Sequence, residues 1–338
     1  MHVAILSPPV WRTPPRKYGP WEQVASNTAE GLKELGIEVT LFATGDSLTR
    51  GKLEYILDHP YGEDPALDPK VWECLHISHL MEQAGRFDII HNHFDFLPLT
   101  YSRLIDTPMV TTIHGFTSDK ILPVFKKYNS NTRYVSISHS DRSKDLNYIA
   151  TVYNGVDPAL FSLNDQAGDY LLFFGRIHPE KGTYEAIRIA RACNRKLVIA
   201  GLIQDKAYFE KKIKPEIDGE QIIYTGNAGP QERDSLLGNA YALLHPILFE
   251  EPFGLSVAEA MLCGTPVIAF KRGSMPELIE DKKTGFLVDN IEEAIEAVKQ
   301  VSTINRSYCR KWAESRFSRR KMAEGYAEVY GRILGNGK

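Results

Sequence analysis

Apolar residues in this chain come in short runs, each bounded by turn-forming residues and followed by a helical pattern. "HVAIL" (2–6) reads as a strand, 21–35 as an amphipathic helix, and "EVTLFA" (38–43) as the next strand. Further strands are predicted at "FDIIH" (87–91), "MVTTIH" (109–114), "RYVSIS" (133–138) and "ATVY" (150–153). A second series follows: "YLLFFG" (170–175), helix 183–193, "KLVIAG" (196–201), "QIIYTG" (221–226), helix 230–240, "YALLHP" (241–246), helix 255–263 and "TPVIAF" (265–270). Strands alternating with helices predict parallel sheets covered on both faces. Between the two series lies "NGVDPALFSLNDQAGD" (154–169), rich in Gly, Pro, Asn and Asp, which reads as the linker.

The pattern therefore predicts an α/β protein of two Rossmann-like, doubly wound domains facing each other across a cleft. A chain of 338 residues also exceeds what one core usually organises. The expected boundaries are 1–157 and 158–317, with the C-terminal helix, about 318–338, packing back on the first domain. Ligands of open parallel sheets bind beyond the carboxyl ends of the strands, so the chemistry is expected in the loops that leave them.

Composition narrows the function classes. A net charge of -3 removes non-specific nucleic-acid binding as a leading idea. Cys74, Cys193, Cys263 and Cys309 have no C-x-x-C or metal-finger spacing and read as reduced thiols. The N-terminus lacks a basic region and a long apolar run, and no window approaches the roughly 20 apolar residues of a membrane span. A cytoplasmic protein is expected.

Four stretches carry candidate chemistry. In "FFGRIHPEKG" (173–182) Arg176 and Lys181 flank a loop at a strand exit, where two cations suit a diphosphate, although a solvated loop has the same composition. "YGPWEQVASNTAEGL" (18–32) places Gly19 and Pro20 at the start of the first helix, where backbone amides can approach an anion, although a plain loop that caps a helix is the better reading of this stretch alone. This loop is not G-x-G-x-x-G, which disfavours NAD. "IIHNHFDF" (89–96) puts His91 and His93 in H-x-H spacing, a weak metal signal, and His114 precedes Gly115 at another strand end. Absence of D-x-D argues against a metal-chelating nucleotide-sugar site.

"FEEPFGLSVAEAMLCGTPVIAF" (249–270) reads two ways. Ser256 and Glu259 have the S-x-x-E spacing of a capping box, in which Glu259 serves its own helix. Alternatively, Glu251 and Glu259 lie on the scale of a nucleotide sugar, since eight helical residues span roughly 12 Å. Carboxylates would then accept hydrogen bonds from sugar and ribose hydroxyls while amides hold the phosphates between them.

Taken together, "GRIHPEKG", "EPFGLSVAEAMLCGTPVIA" and "YNGVD" resemble the GR-x4-KG, E-x7-E and interdomain segments of glycosyltransferase family 4, retaining enzymes of the GT-B fold. The similarity runs almost end to end. It implies transfer of a hexosyl group from a UDP-, GDP- or ADP-sugar to an acceptor (a glycan, a small molecule or a lipid-linked one), with retention of configuration and neither metal nor other cofactor. By resemblance, Arg176 and Lys181 match the diphosphate clamp, Glu251 the acid at the donor sugar, and Glu259 the acid that holds ribose. The amides of Phe253, Gly254 and Leu255 match the phosphate cradle, His114 the pocket histidine, and Gly19 one glycine of a Gly-Gly loop whose second position is Pro20 here. Glu250 has no match and reads as an ordinary loop residue. Base contacts are expected after "IIYTG", and acceptor contacts in "HNHFDF" and 115–120.

A sugar-nucleotide epimerase of the same architecture and an idle nucleotide-sugar-binding module are the alternatives. The basic, then amphipathic stretch 306–334 permits peripheral membrane contact, but packing on the first domain is favoured.

Overall fold

The computed structural model describes residues 1–115 and 118–335. Two compact units emerge: Met1–Gly155 together with Ser318–Lys338, and Val156–Phe317.

The first unit is built on β1 (His2–Leu6), β2 (Glu38–Phe42), β3 (Lys52–Glu54), β4 (Ile89–Asn92), β5 (Met109–Ile113), β6 (Arg133–Ser136) and β7 (Tyr148–Thr151). All pairings are parallel, in the order β3-β2-β1-β4-β5-β6-β7. The order reverses between β1 and β4, which makes that edge the switch point. Its helices are α1 (Pro20–Glu34), α2 (Pro69–Met81) and α3 (Leu122–Tyr128). On one sheet face α2 and α3 enclose Leu6, Phe42, Leu80, Phe125 and Tyr134 in an apolar cluster. β3 was not expected; a three-residue edge strand leaves almost no periodicity to read.

The second unit holds β8 (Tyr170–Phe174), β9 (Lys196–Ala200), β10 (Ile222–Gly226), β11 (Ala240–His245), β12 (Val267–Phe270) and β13 (Gly285–Val288). These too are parallel, ordered β10-β9-β8-β11-β12-β13, with the switch point between β8 and β11. Its helices are α4 (Thr183–Ala192), the short α5 (Lys206–Tyr208), α6 (Pro230–Gly238), α7 (Leu255–Leu262), α8 (Met275–Leu278), α9 (Ile291–Gln300) and α10 (Arg306–Phe317). Asn290 caps α9 by accepting from the Glu293 amide at 2.9 Å.

The final helix, α11 (Arg319–Ile333), begins at Ser318, whose hydroxyl accepts from the Lys321 amide at 3.2 Å. It packs against α1 within the first unit and buries Met322, Ala323, Tyr326, Val329 and Tyr330, so its apolar face is already covered. The cations of the preceding stretch are also used internally. Arg306 donates to the carbonyls of Asn164, Ala240 and Gly238, and Arg310 to those of Phe161 and Leu262. The membrane reading of 306–334 thus loses the apolar face of α11 and the cations Arg306 and Arg310, while Arg320 and Lys321 stay exposed. No helix among the described residues is long and apolar enough to cross a membrane.

Candidate active site

The second unit's candidate residues gather at its switch point. β8 runs out through Gly175 into the loop carrying Arg176 and Lys181, and β11 runs out through His245 into the loop carrying Glu251. These loops are pressed together. The Leu248 amide donates to the Glu180 carbonyl at 2.7 Å. Gly182 has φ +74°, and a Cβ there would stand 1.9 Å from the Pro246 carbonyl oxygen. Only glycine satisfies both the left-handed backbone and the close approach.

That closure delivers the Lys181 ammonium to the Glu251 carboxylate and over the Phe249 ring, 4.6 Å from its centroid. Both partners are nearly enclosed, with side chains 13% and 10% exposed. His245 Nε2 lies 3.6 Å from the same Glu251 oxygen. Burial by itself raises a carboxyl, but here the imidazole and the ammonium outweigh it and bring Glu251 down to about 2. His245 is shifted below its ordinary value by burial, against the pull of Glu251. Arg176 donates to Gln204 Oε1 and shares no hydrogen bond or ion pair with Lys181 or Glu251 among the described residues.

The Glu251 loop is clasped from β12's exit. Gly273 N–H donates to Glu250 Oε2 at 2.5 Å, Ser274 N–H to the Glu251 carbonyl at 2.9 Å, and Ser274 Oγ to the Phe253 carbonyl at 2.8 Å. Glu250 is therefore a brace between two loops and not the ordinary loop residue its lack of a motif match suggested. The bond that makes it one joins positions far apart in the chain.

α7 starts after Gly254, in the left-handed region at φ 89°, and its first turn has amides without partners inside the helix. The capping-box reading fails. Gly254 is the cap, Ser256 already lies inside the helix, and the cap makes no side-chain hydrogen bond. Glu259, 4% exposed, instead pairs with Arg233 on α6, Nη1 to Oε1 at 3.0 Å. The Arg233 guanidinium also lies 5.5 Å from the Phe174 ring centroid at the end of β8. Arg233, Gln204, His245 and Phe249 carry no motif of their own and were not expected at the site; a histidine closing an apolar strand is the one signal that could have marked His245.

In the first unit the strand-end histidines form a stack. His91, on β4, has Nδ1 2.6 Å from Tyr330 Oη and Nε2 2.8 Å from Thr112 Oγ1. Both ring nitrogens are thus taken by α11 and β5, which argues against the H-x-H metal reading. His93 Nδ1 lies 2.9 Å from His114 Nε2, and the His114 ring stacks on Trp21 at 5.8 Å. Burial brings His114 down to about 3 and holds His91 and His93 well below the ordinary imidazole range. Among the described residues no three His, Cys, Asp or Glu are grouped to hold a metal.

Gly19 caps α1 at φ 156° without a side-chain bond, and Pro20 opens the helix, where a missing N–H costs nothing. Glu22 in that first turn is buried and takes the Trp11 amide at 3.3 Å; burial raises its carboxyl to about 8. Of the expected acceptor contacts at 115–120, Phe116 and Thr117 lie outside the described residues.

Known proteins agree with this architecture. The family model described as Glycosyltransferase Family 4 matches residues 21–160, and the one described as Glycosyl transferases group 1 matches 161–318. A Klebsiella pneumoniae protein described as an uncharacterized 41.2 kDa protein in the cps region is 31% identical over 47% of this chain and 45% of its own length. A D-inositol 3-phosphate glycosyltransferase of an Arthrobacter species is 26% identical over 79% of this chain and 77% of its own. Anabaena HepE, solved in complex with UDP and glucose, superimposes over 98% of this chain and 100% of its own with TM-score 0.75 at 20% identity, a likeness of fold. The two family models adjoin and together take in residues 21–318, and the chain belongs to glycosyltransferase family 4, with the GT-B fold.

Proposed function

We propose that the protein is a retaining, metal-independent hexosyltransferase that uses a nucleoside diphosphate sugar. The observation that carries this reading is the enclosed Lys181–Glu251 pair at the β8/β11 switch point, beside the start of α7, which no side chain caps. Anions are favoured at such a helix start, where amides and the helix dipole point at them. A diphosphate seated on the amides of Phe253, Gly254 and Leu255 would draw Arg176 and Lys181 to its oxygens. These cations stabilise the charge that develops on the leaving group, the task a metal ion performs in metal-dependent transferases.

Glu251, brought down to about 2 and so ionised at neutral pH, accepts from donor-sugar hydroxyls. Glu259 has one oxygen held by Arg233 and offers the other to ribose hydroxyls. His114 serves the donor sugar, and Gly19 is a point of close backbone approach. The acceptor hydroxyl oxygen bonds to the anomeric carbon on the face that the diphosphate leaves. The bond from that carbon to the phosphate oxygen breaks, and the departing phosphate takes the acceptor proton. The Anabaena neighbour, solved with UDP and glucose and also with UDP-glucose, favours a nucleotide-sugar donor for this chain without choosing its base or its acceptor.

Incubating the pure protein with UDP-, GDP- and ADP-sugars in excess EDTA tests the reading. Release of nucleoside diphosphate from one of them, with that donor also raising the melting temperature, is expected. If no donor binds, or turnover requires added metal, the reading fails.

A further inference from the structure

In the first unit, His93 is fully buried and its two ring nitrogens have opposite fates. Nδ1 lies 2.9 Å from His114 Nε2, while Nε2 is buried with no hydrogen-bond partner among the described residues. One of the two facing nitrogens must donate and the other accept, because both rings are neutral; burial disfavours their charged forms. If His114 donated, His93 would carry its own proton on Nε2, an N–H enclosed with nothing to receive it. If His93 donates from Nδ1, its Nε2 is an unpaired lone pair instead. Enclosed N–H groups without acceptors are the rarer defect in folded proteins. The hydrogen-bond network thus selects the proton positions, as it does for histidine tautomers generally.

We propose that His93 is a positioning residue: it donates Nδ1–H to His114 Nε2 and so holds His114 in the Nδ1–H tautomer, making the other nitrogen of His114 a hydrogen-bond donor to a ligand oxygen. Stacking on Trp21, with an interplanar angle of 24°, fixes the plane of the ring that His93 orients. His93 is itself anchored, its ring 4.1 Å from that of His91, whose nitrogens are bonded to Tyr330 and Thr112. A chain of contacts therefore runs from α11 through β4 to the end of β5. The site so prepared suits a group that offers lone pairs, a sugar hydroxyl or a phosphate oxygen, and disfavours one that must donate.

The consequence for transfer rests on the function proposed above; the tautomer does not, so two measurements separate them. Long-range proton–nitrogen correlation spectra of the imidazole-labelled, ligand-free protein should show His114 with its proton on Nδ1. A proton on Nε2 in the wild type overturns the proposal. In His93→Phe, which keeps a ring but has no donor, the His114 Nε2 resonance should move to that of a nitrogen accepting no hydrogen bond; an unchanged Nε2 resonance also overturns it. Turnover of the nucleotide-sugar donor should fall about tenfold in kcat with KM little changed, the scale of one lost hydrogen bond. His93→Asn, whose amide donates from nearly the same place as Nδ1, should recover most of that loss. Equal turnover in His93→Phe and wild type refutes the positioning role. A wild type that turns over no donor refutes the proposed function and leaves the spectra to decide the tautomer.

Discussion

The ammonium of Lys181 is paired with the carboxylate of Glu251 across 70 positions of sequence, in a place where water reaches little of either. Such a pair stabilises the fold only while both members are present. Removing one partner leaves an enclosed charge without its counter-ion, which costs about 3 kcal/mol. Lys181→Met should therefore lower the urea midpoint clearly, and Lys181→Met with Glu251→Gln should lower it less than the lysine change alone. A double-mutant cycle on equilibrium unfolding measures the difference; additive losses would show that the two charges do not interact.

Acid should reach the same pair. Glu251 is held down at about 2 against an ordinary value of 4.5, so its contribution is present above 4.5 and is lost as pH falls from there toward 2. A depressed carboxyl of this size contributes on the order of 3 kcal/mol. Wild type should lose stability in that window, and Glu251→Gln should show a shallower loss in unfolding curves at a series of pH values.

Glu22 has the opposite sign. Burial raises its carboxyl from 4.5 to about 8, so the stability it contributes is fully present below 4.5 and is lost as pH rises through 8. Glu22→Gln keeps an acceptor for the Trp11 amide and has no charge to bury. Its stability should match wild type at about pH 4 and exceed it by roughly 5 kcal/mol at about pH 9. Thermal or urea unfolding at the two pH values decides this; equal stability at high pH would show that Glu22 ionises in the fold without penalty.

Gly182 holds the two site loops in contact. Alanine there meets both a φ of +74° and the Pro246 carbonyl at 1.9 Å, so the loops must part. We expect Gly182→Ala to cost at least ~2 kcal/mol and to weaken nucleotide-sugar binding, because Lys181 is the adjacent residue. Melting temperature with and without donor checks both effects, and an unchanged donor-induced shift would detach the loop contact from binding.

The carboxylate and the cations should separate in kinetics. Glu251→Gln is expected to keep nucleotide affinity and lose most turnover, about a hundredfold or more, if its charge matters chiefly in the transition state. Arg176→Ala and Lys181→Ala should lose both. Calorimetric titration with nucleoside diphosphate, alongside turnover, distinguishes them; near-normal turnover in purified Glu251→Gln removes Glu251 from the chemistry.

The sequence by itself determined the fold class, because buried parallel strands are short continuous apolar runs and the helices between them are amphipathic. "HVAIL", "YLLFF" and "KLVIA" were legible for that reason, whereas β3 is too short and "GFLV" of β13 too isolated to stand out as strands. The spacing of Arg176, Lys181, Glu251 and Glu259 was legible as well, since motif residues keep their order along a chain. Their partners were not. Whether Glu259 caps its own helix or meets Arg233 depends on where α7 begins, and Gly254 decides that through its backbone, not through a side chain that a spacing rule can see. Likewise Glu250 finds the Gly273 amide, and His93 finds His114, only once separate strands lie side by side. Periodicity is a local property and survives in one dimension. Hydrogen-bond partnership, and with it the charge and tautomer of each group, exists only between segments that tertiary packing brings within about 3 Å of one another.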